Sequence, residues 1–224
     1  MRRRFLLGLA GLCLAAAGLA PLSAQDAKVS AEVPGTFRSF IVVDDRFAPR
    51  KTPVVVPEDR DPRDRTGKMH CVVCEFGLNP AVLVLTRANP AEGSPVAKLA
   101  QKLDATLQSR DAKAKSVNGA VIFLTLNSEY PTDIARNAAG EFLREGKSKS
   151  VRDLATQLKT PKLVYGLAAR NSPEAVAWGL ADADETEVVV YDRMKPVKKW
   201  NFAEGGPTDA DIDAIDAAVK ALAK

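Results

Sequence analysis

Lys162 to Trp200 reads KLVYGLAARNSPEAVAWGLADADETEVVVYDRMKPVKKW. Lys162 to Ala168 is a short apolar run of strand length, and Glu187 to Tyr191 (EVVVY) is denser still in β-branched residues. Between them, Ser172-Pro173-Glu174 is a helix start: a serine that can cap, a proline that suits the first turn, then an acid. The helix it opens, Ala175 to Leu180, is short. A turn at Asp192 to Lys195 sends the chain back through Val197 to Phe202, so the last two strands read as a hairpin.

Toward the N-terminus, the same alternation continues. Ala81 to Thr86 (AVLVLT) and Ala120 to Leu126 (AVIFLTL) are continuous apolar runs, as expected of strands buried on both faces. Between them Ser94 caps a helix that starts at Pro95 and lines up Val96, Leu99, Ala100, Leu103 and Leu107 on one face. Thr132 to Arg144 is a helix with Ile134, Ala138 and Phe142 in line. Ser150 starts a second with Val151, Leu154, Ala155 and Leu158 apolar, unless the two are one broken helix. Phe37 to Val43 (FRSFIVV) is a further strand. Toward the C-terminus, Thr208 caps a last helix with Asp209 and Asp211 in its first turn and Ile212, Ile215, Val219 and Leu222 facing the core. Gln25 to Gly35 is a polar leader. Phe47 to Lys68, with PEDRDPRDR at its centre, is an exposed charged loop. Strands that alternate with helices imply βαβ units and a largely parallel sheet, with the final hairpin adding an antiparallel edge.

Met1 to Ala24 has the three parts of a secretion signal: Arg2, Arg3 and Arg4, an uncharged apolar run from Phe5 to Leu19, and Leu22-Ser23-Ala24 before Gln25 as a cleavage site. The run is shorter than the ~20 apolar residues of a membrane span. The expected organisation is a signal peptide over 1–24, a leader, strand and charged loop over 25–68, and one α/β domain over 69–224. The expected location is extracytoplasmic, in a periplasm or secreted, with no membrane contact after cleavage. The signal holds three of the 32 basic residues and none of the 28 acids, so 29 cations face 28 anions in the remainder. That balance and the absence of a basic patch exclude nucleic acid as an expected partner.

Cys13 falls in the signal, which leaves Cys71 and Cys74 as the cysteines of the exported part. Two thiols separated by Val72-Val73 come within disulfide reach when the segment turns, and export lets the bond persist. The pair can exchange with protein thiols and disulfides, Cys71 attacking and Cys74 resolving, or it can be a structural disulfide. His70, the chain's single histidine, could favour a thiolate if it turned toward the sulfur. A metal alternative would use His70, Cys71 and Cys74, three ligands where zinc sites generally have four or an open water position. Haem attachment through C-x-x-C-H is excluded because Glu75 follows Cys74. No Gly-rich phosphate loop or carboxylate pair stands out, a lone histidine excludes most triads, and no cofactor is expected. Trp178 and Trp200 read as packing residues, and Asn89 and Glu92 as a polar loop tip.

The element order resembles the thioredoxin-like fold in its redoxin branch, the peroxiredoxins and membrane-tethered thiol-disulfide proteins, from about Ala81 to the C-terminus. Trp178-Gly179-Leu180 resembles the redoxin helix end, Val189-Val190-Tyr191-Asp192 the strand ending in Asp, and Pro196 to Trp200 the returning strand. The segment HCVVCEFGLNPAVLVLTR, from His70 to Arg87, is similar to a group of exported bacterial thioredoxin-like proteins. The resemblance implies a three-layer α/β sandwich, with a mixed sheet and a C-terminal hairpin and helix. It also implies a reactive cysteine just after the central strand, but Arg87 to Ser94 contains none. The proline that redoxins often have before the strand ending in Asp is missing near Thr186, and Pro161 lies one strand too early. With the CxxC before the central strand, the pair is expected near the opposite end of the sheet from a redoxin active site, unless Glu75 to Pro80 folds back. Without exchange activity, the chain would be a scaffold binding an extracytoplasmic protein or ligand at the redoxin edge.

Overall fold

The computed structural model describes residues 25–26, 34–47, 63–108, 115–126 and 138–223. The signal segment, Cys13, most of the charged loop and the start of the helix expected at Thr132 lie outside these residues. In chain order the elements are β1 (Gln25–Asp26), β2 (Arg38–Asp44), β3 (Met69–Cys71), α1 (Val72–Phe76), β4 (Ala81–Thr86), α2 (Pro95–Gln108), β5 (Asn118–Leu126), α3 (Ala138–Leu158), β6 (Leu163–Ala169), α4 (Pro173–Trp178), β7 (Thr186–Asp192), β8 (Lys195–Phe202) and α5 (Asp209–Leu222). The strands form one 8-stranded sheet in the order β1-β8-β7-β4-β5-β6-β2-β3.

The apolar runs are buried on both faces because each alternates its side chains between two cores. On β4, Val82 and Val84 join one core, while Ala81, Leu83 and Leu85 join the other. The first core is closed by α2, α3 and α5 through Leu99, Leu103, Val151, Leu154, Ile215 and Val219. The second is closed by α1 and α4 through Val72, Val73, Phe76, Ala175 and Trp178. This is the thioredoxin-like three-layer sandwich in its redoxin form, with β6-α4-β7-β8 in the expected order. The caps read from the sequence are formed: Ser94 Oγ accepts the Ala97 N–H at 3.2 Å, and Ser172 Oγ the Ala175 N–H at 3.0 Å. Thr208 and Asp211 make a reciprocal capping box. The two helices expected between β5 and β6 are one helix over their described part, Ala138–Leu158.

The parallel character is narrower than the βαβ pattern suggested. Only β4-β5 and β5-β6 are parallel, and the other pairs are antiparallel. The reason is the length of α4. Its six residues span roughly 9 Å, whereas a seven-residue strand such as β7 spans roughly 23 Å. The connection therefore stays at the end of the sheet where β6 finishes, and β7 returns antiparallel with Thr186 opposite Thr86. The hairpin strand β8 is covered in part at its outer side, because β1 pairs with Asn201 and Trp200.

Candidate functional site

Cys71 ends β3 and caps α1, and its sulfur is bonded to Cys74 with Cα atoms 5.3 Å apart. The Cys74 N–H donates to Cys71 Sγ at 3.1 Å. The apolar spacer has a local cause: Val72 and Val73 are 1% and 0% exposed and pin the turn into the second core beside Phe76. Cys74, on the outer side of the same turn, is exposed, and Cys71 is half-buried. The bond occupies both sulfurs, so the metal alternative loses its thiolates, and no group of three potential ligands assembles among the described residues.

The partner that the structure gives His70 is a carboxylate and not a sulfur. The His70 Nε2 lies 2.9 Å from Glu75 Oε2, so the imidazole is held on the carboxylate that follows Cys74. Glu75 also pairs with Arg46 at 2.5 Å and lies 3.9 Å from Arg65. Arg46 makes a two-pronged contact with buried Asp44, at 2.7 and 2.8 Å, and lies over the rings of Phe47 and Phe76. The Asp44 contact and charge, with Glu75, hold the guanidinium's pKa above its ordinary value despite burial. This cluster ties α1 to the end of β2. Its sequence signal was Asp44-Asp45-Arg46 immediately after a strand, an abrupt change from apolar to paired charge.

The pair does not lie at the opposite end of the sheet. Cys71 is opposite Arg38, and Phe40, two residues on, is opposite Leu167, which puts Cys71 level with the C-terminal ends of β5 and β6. The chain folds back through α1 and a turn at Gly77, whose φ of 57° suits glycine, to start β4 at the other end. The displacement from the redoxin edge is lateral: four strand spacings separate β3 from β4, about 19 Å.

At the redoxin edge itself, Thr86 and Thr186 are joined by a buried hydroxyl hydrogen bond of 2.9 Å, and Thr86 Oγ1 accepts the Ala88 N–H. Where the reactive cysteine would follow the central strand stands Arg87, buried, its Nη1 donating to the carbonyls of Ala181 and Asp184 at 2.6 Å each. The arginine thus organises the loop before β7. Asn89 and Glu92 are exposed on the loop beyond it. Trp178 is buried edge-on to Phe37 and tilted against Tyr191, and Trp200 is buried in the first core, both as packing residues.

Beneath the end of α4 lies a polar cluster that the sequence reading passed over. Glu187 is fully buried on β7, 3.3 Å from Lys199 Nζ, which also donates to the Trp178 carbonyl at 2.7 Å. Asn201 donates to the Gly179 carbonyl and to Asp184. Burial pushes the Glu187 carboxyl up to about 7; Lys199 and Arg87 pull it down and Asp184 adds to the rise. Gly179 is favoured by its φ of 99°, and a Cβ there would displace the Lys199 ammonium, whose Nζ would lie 2.1 Å away. The available signal was one acid opening an otherwise apolar strand, EVVVY.

No protein-family model matches the sequence, and no curated protein matches it. Among solved structures, an uncharacterized conserved protein from Geobacillus kaustophilus is similar at TM-score 0.51 and 14% identity, covering 89% of this chain and 84% of its own. AhpC of Mycobacterium tuberculosis matches at TM-score 0.48 and 11% identity, over 87% of this chain and 92% of its own. ScoI of Arabidopsis thaliana, solved with copper bound, matches at TM-score 0.44 and 11% identity, over 84% of this chain and 99% of its own. At these identities the likeness concerns the fold alone.

Proposed function

We propose that this is an exported thiol–disulfide exchange protein acting through Cys71 and Cys74. One observation carries the reading: a disulfide with one exposed sulfur-bearing residue and the other accepting a backbone N–H, on a turn bolted to the core. A partner thiolate attacks Cys74 Sγ, the Cys71–Cys74 bond breaks, and its electron pair leaves on Cys71 Sγ. The Cys74 N–H at 3.1 Å stabilises that charge, which makes Cys71 the better leaving group. A second partner thiolate attacks the partner's own sulfur in the mixed disulfide and expels Cys74. Two partner thiols give up two protons and two electrons to become a disulfide, and the pair gains them as a dithiol. In reverse, the dithiol reduces a partner disulfide. Chain order alone makes Cys71 the attacking sulfur; the exposure of Cys74 supports the opposite assignment. His70 takes no part in this reading, being held by Glu75.

The test is dithiothreitol-driven reduction of insulin, comparing the parent with Cys71→Ser. Acceleration by the parent and its loss in the variant are expected. Equal rates would leave the disulfide structural, with any partner then binding at the redoxin edge. Export rests on residues 1–24. N-terminal sequencing of the protein from extracytoplasmic fractions is expected to begin at Gln25; recovery only as full-length chain in the cytoplasm would contradict it.

A further inference from the structure

The strand that delivers Cys71 is the last of the sheet, and among the described residues no strand pairs with its outer side. The direction of its backbone groups follows from the register. The Ile41 N–H donates to the Lys68 carbonyl at 2.9 Å, and the Val72 N–H to the Phe37 carbonyl at 3.2 Å. Hydrogen-bonded pairs in an antiparallel ladder alternate with non-bonded ones, so Ser39 and His70, opposite each other midway, form the intervening bonded pair. Met69 and Cys71 are then non-bonded partners of Phe40 and Arg38. The N–H and C=O of Met69 and the N–H of Cys71 point away from β2, to the edge where no other described strand pairs. The C=O of Cys71 serves the first turn of α1, for which it is the cap.

These outward groups are a strand template that runs into the disulfide at Cys71. The side chain presented along this edge is apolar: Met69 is 42% exposed on β3. A small thiol uses none of this, whereas an extended polypeptide uses its backbone for the edge and alternate side chains for the apolar surface. The geometry points to an extended, cysteine-bearing polypeptide segment as the partner of the Cys71–Cys74 pair, docked as an added strand along the outer edge of Met69–Cys71. This rests on the exchange reading above. Docking there lays the partner's own cysteine alongside the pair, so the edge supplies selectivity for unfolded chain over glutathione.

The probes are three: a linear peptide of alternating Val and Thr with one central Cys, the same peptide N-methylated at alternate positions, and glutathione. Exchange with the oxidised protein is expected to slow for the N-methylated peptide by about fivefold per hydrogen bond lost. Met69→Pro removes an outward N–H and spares the inward ladder, as proline on an edge strand can. It is expected to slow the unmethylated peptide by about fivefold and leave glutathione unchanged. Hydrogen exchange at the Met69 and Cys71 amides, measured with a Cys→Ser version of the peptide, is expected to slow on binding. Equal rates for the two peptides, with no protection of those amides, would overturn the docking edge while glutathione exchange still upheld the redox reading. Protection of the amides with no exchange from any probe would overturn the redox reading and uphold the edge as a polypeptide site. The N-methylated peptide keeps the test decisive if Met69→Pro does not fold.

Discussion

Burial of Glu187 makes stability depend on pH in a direction opposite to that of an ordinary paired carboxylate. In the unfolded chain its pKa is near 4.5, and in the fold burial raises it to about 7. The native state therefore holds this proton over a range where the unfolded state has released it. Its stabilising contribution is complete below pH 4.5, declines as pH rises, and is gone above about 7. A rise from 4.5 to about 7 corresponds to about 3 kcal/mol. Other carboxylates titrate too, so the quantity to measure is a difference. Urea unfolding of the parent and of Glu187→Gln, each at pH 5 and pH 8, isolates this group. The parent is expected to lose about 2 to 3 kcal/mol relative to the variant between those values. A difference that is flat with pH, or that favours the parent at pH 8, would refute the buried-acid account and mean that Lys199 holds Glu187 ionised throughout.

Three further outcomes follow from the same contacts. Reduction of the disulfide should leave the fold standing, because a separation of 3 residues gives a loop-closure contribution of only about 2 kcal/mol; circular dichroism melts with and without reductant check this, and unfolding on reduction would contradict it. Arg87→Ala removes the hydrogen bonds that this buried arginine gives to the part-buried carbonyls of Ala181 and Asp184 and should cost about 1.5 to 3 kcal/mol in urea unfolding, where a loss under 1 kcal/mol would show that the loop before β7 needs no such anchor. Leu83→Ala empties a fully buried site on the central strand and should cost about 3 to 5 kcal/mol, against little change if the second core can collapse around it.

The layers of the fold were legible because both-sided burial writes itself as an uninterrupted apolar run, as at Ala81 to Thr86 and in EVVVY. Caps were legible for the same local reason: Ser94, Ser172 and Thr208 bond to N–H groups three residues away. Strand direction was not, since it depends on where a connection ends in space. The βα pattern implied parallel strands, and only the shortness of α4 against β7 signalled otherwise. β3 was hidden inside the CxxC motif, because three residues carry too little periodicity to read as a strand. The candidate site was legible as a pair of sulfurs, but their level on the sheet depended on α1 folding back. The partners of His70, Arg87 and Glu187 lie on other elements, and contacts of that kind leave no trace in local spacing.

The central claim is that Cys71 and Cys74 exchange with partners rather than merely fastening a turn. Its most direct measurement is the reduction potential of the pair in the full folded domain, by equilibration with glutathione buffers and thiol trapping. Exchange activity predicts a potential above about −300 mV, within reach of partner dithiols, whereas structural bridges of secreted proteins usually fall below it. A value below that bound, with the bond intact in every buffer that leaves the fold intact, would contradict the account and leave the disulfide a clip.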